Sequence, residues 1–470
     1  MSADSSQPAQ ASSSDSILLT EGRILPVLLR LSWPVLLSMS LQTLFHIVDA
    51  IWVGRLGADA LAAVSTCVYA TWILGGIGEL LSSGVVALAS RDVGAGRQDS
   101  AWKTAGQAQS FAWCLGIVLV AAAPTAPRAL FTALSTTPEV TRLGIEYLSP
   151  LLYFAVPALL LATLAAILRA WGDTKTALRI TAVSVTLNLV LDPLLIFGFG
   201  PIPALGVKGA AYATLLSQSI GVTLFYLHLR GRFGSLRLPF PQRSTILSIA
   251  RIGLPVTMNA ALYAFVYLWF AGVAARIDTN AVAVLGVGNR LESVVYILAE
   301  SLSLAAAAFV GQNLGGQRVD RVRTGVRWAL VIGFAVGAVF GVLFFTLGRP
   351  LFSLFTSDPT VLADAGPYMQ ILALCQGFMA VEVTLYGVFA GAGYTLVPTV
   401  VSGLVHAMRV PLASWVALRL GYGLEGLAWM ITLTCVLRSL WLAAVLARGR
   451  WLGHRADPTR ATIAGVPGSG

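Results

Sequence analysis

The chain has 470 residues, of which 57% are hydrophobic and only 11% charged. No soluble domain needs that much apolar surface, and the strand-like alternation of an outer-membrane barrel is absent. The formal net charge of +10 invites a nucleic-acid reading. However, most Lys and Arg fall on segments at one side of the apolar runs, a positive-inside bias that sets topology, so no nucleic-acid partner is expected.

A helix needs about 20 apolar residues to cross a bilayer, and lipid offers no partner to an open backbone. The apolar runs therefore predict twelve transmembrane helices. The first, 24–53, carries Pro34, His46 and Asp49; the second, 61–90, carries Glu79. Spans 101–123 and 143–168 follow, the latter with Tyr147. Span 178–199 holds Asn188 and Asp192 one helical turn apart on one face, and span 207–229 holds Thr214. A connection with Pro239, Pro241 and several Arg leads to span 249–275, which contains Pro255. Span 281–311 carries Arg290, Glu292 and Glu300, and span 323–347 carries no acid. Spans 366–391, 396–418 and 424–447 hold Glu382, Arg409 and Arg438 respectively. Residues 1–20 read as a disordered cytoplasmic tail and 451–470 as another. Cys67, Cys114, Cys375 and Cys435 are scattered through apolar spans with no disulfide or metal spacing.

The sequence repeats itself. Pro34 recurs as Pro255, Glu79 as Glu300, Asp99 as Asp320 and Gly172 as Gly393, each pair 221 positions apart. Further on, Gly206-Val-Lys-Gly209 matches Gly423-Leu-Glu-Gly426, an offset of 217. Each unit thus has six spans, and an even number gives both copies the same orientation, related by an axis along the membrane normal. The expected fold class is all-α integral membrane, with an N-lobe over 21–232, a cytoplasmic linker over 233–248 and a C-lobe over 249–450. A cleft between the lobes suits alternating access. No channel filter sequence appears.

The repeat fails at Asp49, which falls on Phe270, at Asn188, which falls on Arg409, and at Asp192, which falls on Ala413. Ionisable groups at membrane depth are costly and are functional candidates. Counting 1.5 Å per residue from the outer helix ends places Asp49, Tyr147, Asp192 and Thr214 at a similar level, about 6–11 Å deep. Two close carboxylates in low dielectric cannot both easily ionise, so the pair is suited to hold a proton or a cation. If the ion is sodium, Asp49, Asn188 and Asp192 are its expected ligands. Glu79 and Glu300 fit either a structural job or a contact to cation or substrate. Glu382 is a candidate lining residue of the second lobe. Arg290 and Glu292 are expected to pair with neighbouring helices, and Arg409 either balances an acid or packs. Pro34 removes a helix hydrogen bond and permits a bend in the helix that carries Asp49. His46 offers a proton relay or a packing group.

These residues resemble the multidrug and toxic compound extrusion (MATE) transporters, especially the DinF-like and archaeal branch. The resemblance rests on Leu31-Ser-Trp-Pro34, Val48-Asp-Ala-Ile-Trp-Val-Gly-Arg-Leu-Gly57 with Leu61-Ala-Ala-Val64, Leu168-Arg-Ala-Trp-Gly-Asp-Thr174, Leu187-Asn-Leu-Val-Leu-Asp-Pro193 and Gly209-Ala-Ala-Tyr-Ala-Thr-Leu-Leu216. It implies the two-lobe architecture of the MOP superfamily. The implied activity is antiport at the inner membrane, in which amphipathic, often cationic, compounds leave as protons or sodium enter. The cation site would then be Asp49, Asp192, Asn188, Tyr147 and Thr214, with Pro34 as the bending proline. The chain departs from another branch by having no acid between Leu262 and Phe270, so a sodium site of that branch's type is not expected in the C-lobe. No cofactor beyond the coupling ion is expected, and the protein is expected to be a monomer. The distribution of Lys and Arg places both termini in the cytoplasm, and the protein is not expected to be an enzyme. The alternative is a lipid-linked or glycan flippase of a related fold, which would need Arg or Lys facing a phosphate; Arg290 and Arg409 are the hints. A membrane enzyme would need a nucleophile with a partner base, and Ser82-Ser83-Gly84 has no evident histidine.

Overall fold

The computed structural model describes residues 19–233 and 238–453. The N-lobe contains α1 (Ile24–Gly54), α2 (Ala58–Gly94), α3 (Gln98–Ala122), the short α4 (Ala126–Ala133), α5 (Pro138–Tyr153), α6 (Ala155–Ala170), α7 (Thr174–Phe197) and α8 (Val207–Phe233). The C-lobe contains α9 (Arg243–Ile277), α10 (Thr279–Gly315), α11 (Val319–Ser353), α12 (Pro359–Ala373), α13 (Gln376–Gly391), α14 (Leu396–Ser414) and α15 (Gly423–Ala447). A π-helical turn, Trp415–Arg419, continues α14. Ten helices are long and apolar enough to cross a membrane, and two bent pairs raise the number to twelve among the described residues. The protein is therefore an all-helical, multi-pass membrane protein.

Spans four and ten are not single rods. α5 and α6 meet at 55°, and α12 and α13 at 52°. The breaks, at Phe154 and Cys375, are equivalent in the repeat. In the first lobe Pro150 interrupts α5 just before the break and removes a helix hydrogen bond. In the second, Gly337 and Gly341 of α11 let the backbone of Gln376 and Ala373 come so close that a Cβ would lie 2.3 and 2.7 Å from their carbonyl oxygens. Both spans also end alike. Gly172 and Gly393 adopt φ of +79° and +70°, a left-handed conformation that glycine tolerates without a Cβ clash. The short α4 was not anticipated; it is too short and too polar to register as a span.

The hydrophobic core explains the shape. One cluster takes residues from both lobes, including Leu81, Val85, Ile249, Ala305, Phe309 and Leu442. Two others belong to single lobes: one centres on Val53, Phe131, Leu148 and Ile196, the other on Val266, Val284, Phe344 and Ile431. The lobes thus share one core and keep a separate core each, the shared one lying toward the helix ends expected to face the cytoplasm.

The shared end is closed by backbone contact. A Cβ on Gly94 of α2 would lie 1.8 Å from the carbonyl oxygen of Gln312, and one on Gly315 of α10 would lie 2.0 Å from that of Arg91. Gly94 and Gly315 are repeat equivalents, as are Arg91 and Gln312, so the crossing is reciprocal. Arg91 Nη2 donates to Ala392 O at 3.0 Å, and Gln312 Nε2 donates to Ala170 O at 2.7 Å. Each lobe caps the kinked span of the other.

The expected tails begin further out than the sequence suggested. Leu19 and Thr20 are buried, with Leu19 N donating to Gln312 Oε1 at 2.9 Å and Arg321 binding the carbonyls of Leu19, Glu21 and Gly22. At the other end Arg450–Gly453 form a 3-10 turn, and the buried Trp451 packs edge-on against Phe389. The remainder of both tails, 1–18 and 454–470, and linker positions 234–237 lie outside the described residues.

Replacing Gly94 or Gly315 by Val should cost about 1–3 kcal/mol through overpacking and lower the thermal transition measured in detergent. Unchanged transitions in both variants would show that the two backbones do not touch.

Candidate functional site

The N-lobe brings Asp49 of α1, Tyr147 of α5 and Asn188 and Asp192 of α7 together, and Thr214 lies on α8, which packs on both α5 and α7. Asp49, Tyr147, Asn188, Asp192 and Thr214 are all buried, with Asp192 fully enclosed. The helical spacing of four sets Asn188 beside Asp192, and Asn188 Nδ2 donates to Asp192 Oδ1 at 3.3 Å. The Tyr147 hydroxyl lies within electrostatic range of the Asp49 and Asp192 carboxyls, and the two carboxyls lie within range of one another. α7 and α8 are tied next to this group by Ser184 Oγ donating to Ser217 O at 2.8 Å.

Four of the five residues keep a buried oxygen without a partner: Asp49 Oδ1, Asn188 Oδ1, Asp192 Oδ2 and Thr214 Oγ1. Leaving a buried acceptor unsatisfied costs about 1–3 kcal/mol each. An all-oxygen set of this kind fits a hard monovalent cation or a shared proton. It does not resemble a transition-metal site; no such cluster of His, Cys, Asp and Glu exists among the described residues.

The other expected residues divide. Pro34 is buried within the unbroken α1; Ser38 Oγ donates to its carbonyl at 2.9 Å, and its ring leaves the carbonyl of Arg30 without the usual helical donor. His46 is exposed. Glu79 of α2 and Glu300 of α10 are half-buried and approach each other across the lobe interface, with Arg169 of α6 within electrostatic range. Arg169 was missed in the sequence, although the repeated acids gave reason to look for a counter-charge.

In the C-lobe, Glu382 is sealed rather than lining a cleft. Arg438 Nη2 pairs with Glu382 Oε1 at 3.2 Å, with both side chains 6% exposed. Arg438 Nη1 also meets His406 Nε2 at 2.7 Å. In the N-lobe the equivalent contact is apolar, between Leu161 and Gly221. Glu292 bonds to neighbouring helices as expected, accepting from Gln376 Nε2 at 3.1 Å and from Tyr267 Oη at 3.2 Å. Arg290 does not follow that expectation: it is exposed on α10 and forms no ion pair among the described residues. It sits on the side of the helix away from Glu292's partners. Arg409 is buried, with its guanidinium 4.8 Å above the Phe270 ring. The roles of Tyr267, Gln376 and His406 were missed; each is a common residue whose significance depends on which helices meet.

Two six-span lobes, joined at one end, around an ionisable cluster buried in one of them define an integral membrane transporter. The MatE family model matches residues 34–194 and again 255–415, two blocks separated by the same 221 positions as the internal repeat. The chain belongs to the MATE transporter family. A probable multidrug resistance protein NorM of Thermotoga maritima is 27% identical over 441 residues, covering 93% of this chain and 95% of that protein. An FAD transporter of Shewanella oneidensis is 31% identical over 369 residues, covering 76% and 80%. In fold, the chain matches a crystal structure of MATE in the bent conformation with a TM-score of 0.86 at 24% identity, covering 93% of this chain and 98% of that one. It matches the straight conformation with a TM-score of 0.84.

The buried Glu382–Arg438 pair yields a stability test. Arg438→Met alone should cost about 3–5 kcal/mol by stranding a carboxylate, whereas Glu382→Leu with Arg438→Met should be near neutral. Chemical denaturation in detergent measures both. A double variant as unstable as the single one would refute the pairing as the origin of the cost.

Proposed function

We propose that the protein is a cation-coupled antiporter of the cytoplasmic (inner) membrane, exporting amphipathic, often cationic, organic compounds by alternating access, with both termini in the cytoplasm. The observation that carries this reading is the set of four unpartnered oxygens on Asp49, Asn188, Asp192 and Thr214. A proton or a sodium ion arriving from the outer face satisfies them. Sodium would be bound as a transported substrate by Asp49, Asn188 and Asp192, with Thr214 and the Tyr147 hydroxyl adjacent.

The coupling follows from differential affinity. An ion shifts the equilibrium between outward- and inward-open forms only by as much as it prefers one of them, and cargo and ion need not touch if they prefer opposite forms. Asp49 lies on α1, whose backbone is weakened at Pro34, and α1 packs on both α7 of its own lobe and α10 of the other. Loading the site is thereby linked to the interface on which the lobes turn.

Relatives named as multidrug resistance proteins support the cargo class. The relative named an FAD transporter makes an anionic dinucleotide the second cargo to test. A flippase finds less support: Arg409 is covered by Phe270, leaving only Arg290 exposed.

Asp49→Asn and Asp192→Asn should each reduce dye efflux from cells by roughly tenfold or more with the amount of membrane-inserted protein unchanged. Proteoliposomes bearing the purified protein, with pH and sodium gradients imposed separately, identify the driving ion; a cationic dye and FAD serve as alternative cargoes. Full efflux in both variants would remove the acids from the mechanism.

A further inference from the structure

The two lobes differ where the N-lobe gathers its acids. Applying the repeat offsets, Asp49, Tyr147, Asn188, Asp192 and Thr214 correspond to Phe270, Tyr368, Arg409, Ala413 and Ile431. All five C-lobe residues are buried: Phe270 and Ala413 fully, Tyr368 to 1%, Arg409 to 2% and Ile431 to 4% exposure. The tyrosine is retained, the carboxylates are gone, and the space holds a guanidinium stacked on a phenyl ring at 4.8 Å.

From this geometry we infer that Arg409 is a built-in cation, seated on Phe270 at the C-lobe position equivalent to the N-lobe ion site, so that only the N-lobe exchanges an ion with solvent. This rests on the N-lobe coupling proposed above. A buried guanidinium is expensive where an apolar residue would pack, and no hydrogen bond or ion pair reaches Arg409 among the described residues; its Nε is unpartnered. The Phe270 face attracts the cation electrostatically, and Glu292 and Glu382 lie within electrostatic range. A guanidinium stays charged at any working pH, and its covalent tether keeps it from leaving. The C-lobe is thus permanently in its ion-loaded condition while the N-lobe alternates. Arg409 acts as a positioning residue; it touches neither cargo nor the N-lobe ion.

The test uses the full-length protein in proteoliposomes, measuring dye exchange at equal concentrations on both sides as well as gradient-driven efflux. Arg409→Lys should retain most activity. Arg409→Met, similar in reach but neutral, should lose roughly tenfold or more, and Arg409→Ala should be restored by added guanidinium but not by urea, which is similar in shape and uncharged. Arg409→Met combined with Glu292→Gln, which restores charge balance, should remain inactive. Activity of Arg409→Met near that of the unaltered protein, rescue by urea as effective as by guanidinium, or recovery in the combined variant would overturn the inference. Thermal transitions in detergent identify misfolded variants, and for these the Ala variant with guanidinium supplies the decisive reading. Should unaltered protein ignore both pH and sodium gradients, the N-lobe proposal fails; should it follow one while Arg409→Met matches it, only the built-in cation fails.

Discussion

The close crossing of α2 and α10 governs the arrangement of both lobes. Two helices approach until carbonyl oxygens occupy the space a side chain would need, and glycine at Gly94 and Gly315 is what permits it. Between helices in lipid there is little hydrophobic gain from association, so close packing and hydrogen bonds do the joining. The reciprocal bonds of Arg91 and Gln312 to the opposite lobe add a polar latch at the same level. Beyond that crossing each lobe has a separate core, and Tyr147 of the acid cluster belongs to that of the N-lobe, whereas Glu79 and Glu300 meet at the lobe interface.

On this common frame the lobes have taken different electrostatic solutions. The N-lobe keeps acids and unsatisfied oxygens, which leaves it dependent on something from outside. The C-lobe answers its acids internally, Glu382 with Arg438 and Glu292 with Tyr267 and Gln376. Where the C-lobe places an ion pair, the N-lobe places Leu161 against Gly221. The carboxylates of the C-lobe thus have protein partners, while Asp49 and Asp192 of the N-lobe each keep a buried oxygen without one.

The twelve spans were legible in the sequence because lipid enforces both length and apolarity, and the repeat was legible because Pro34, Glu79 and Gly172 recur without a gap. The common level of Asp49, Tyr147, Asp192 and Thr214 followed from helix direction and rise, Asn188 from its spacing to Asp192, and the reading of all five as one cation site from the family resemblance. What could not be read was anything set by which helices meet. The Glu382–Arg438 pair joins α13 to α15, and no local pattern announces it. Arg290 and Glu292 were both expected to pair with neighbouring helices, but residues two apart on a helix face different ways, and Glu292 alone of the two does so among the described residues. The break in the tenth span has no proline at the position that interrupts the fourth, since Ile371 stands where Pro150 would recur; close packing against the glycines of α11 accompanies the bend there. The extent of the tails was misjudged because Leu19 and Trp451 are buried by elements hundreds of residues or several helices away.

The bond between Leu19 and Gln312 spans 293 positions, and Arg321 reaches the carbonyl of Leu19 from still further along the chain. During synthesis the N-terminal segment therefore has no place to dock until α10 and the start of α11 have been made. The outer core of the first lobe draws only on residues up to Leu215 and is complete long before. A ribosome working through this chain delivers one finished half-bundle that must wait, with the face of α2 still uncovered in the bilayer, for the second to arrive and close it.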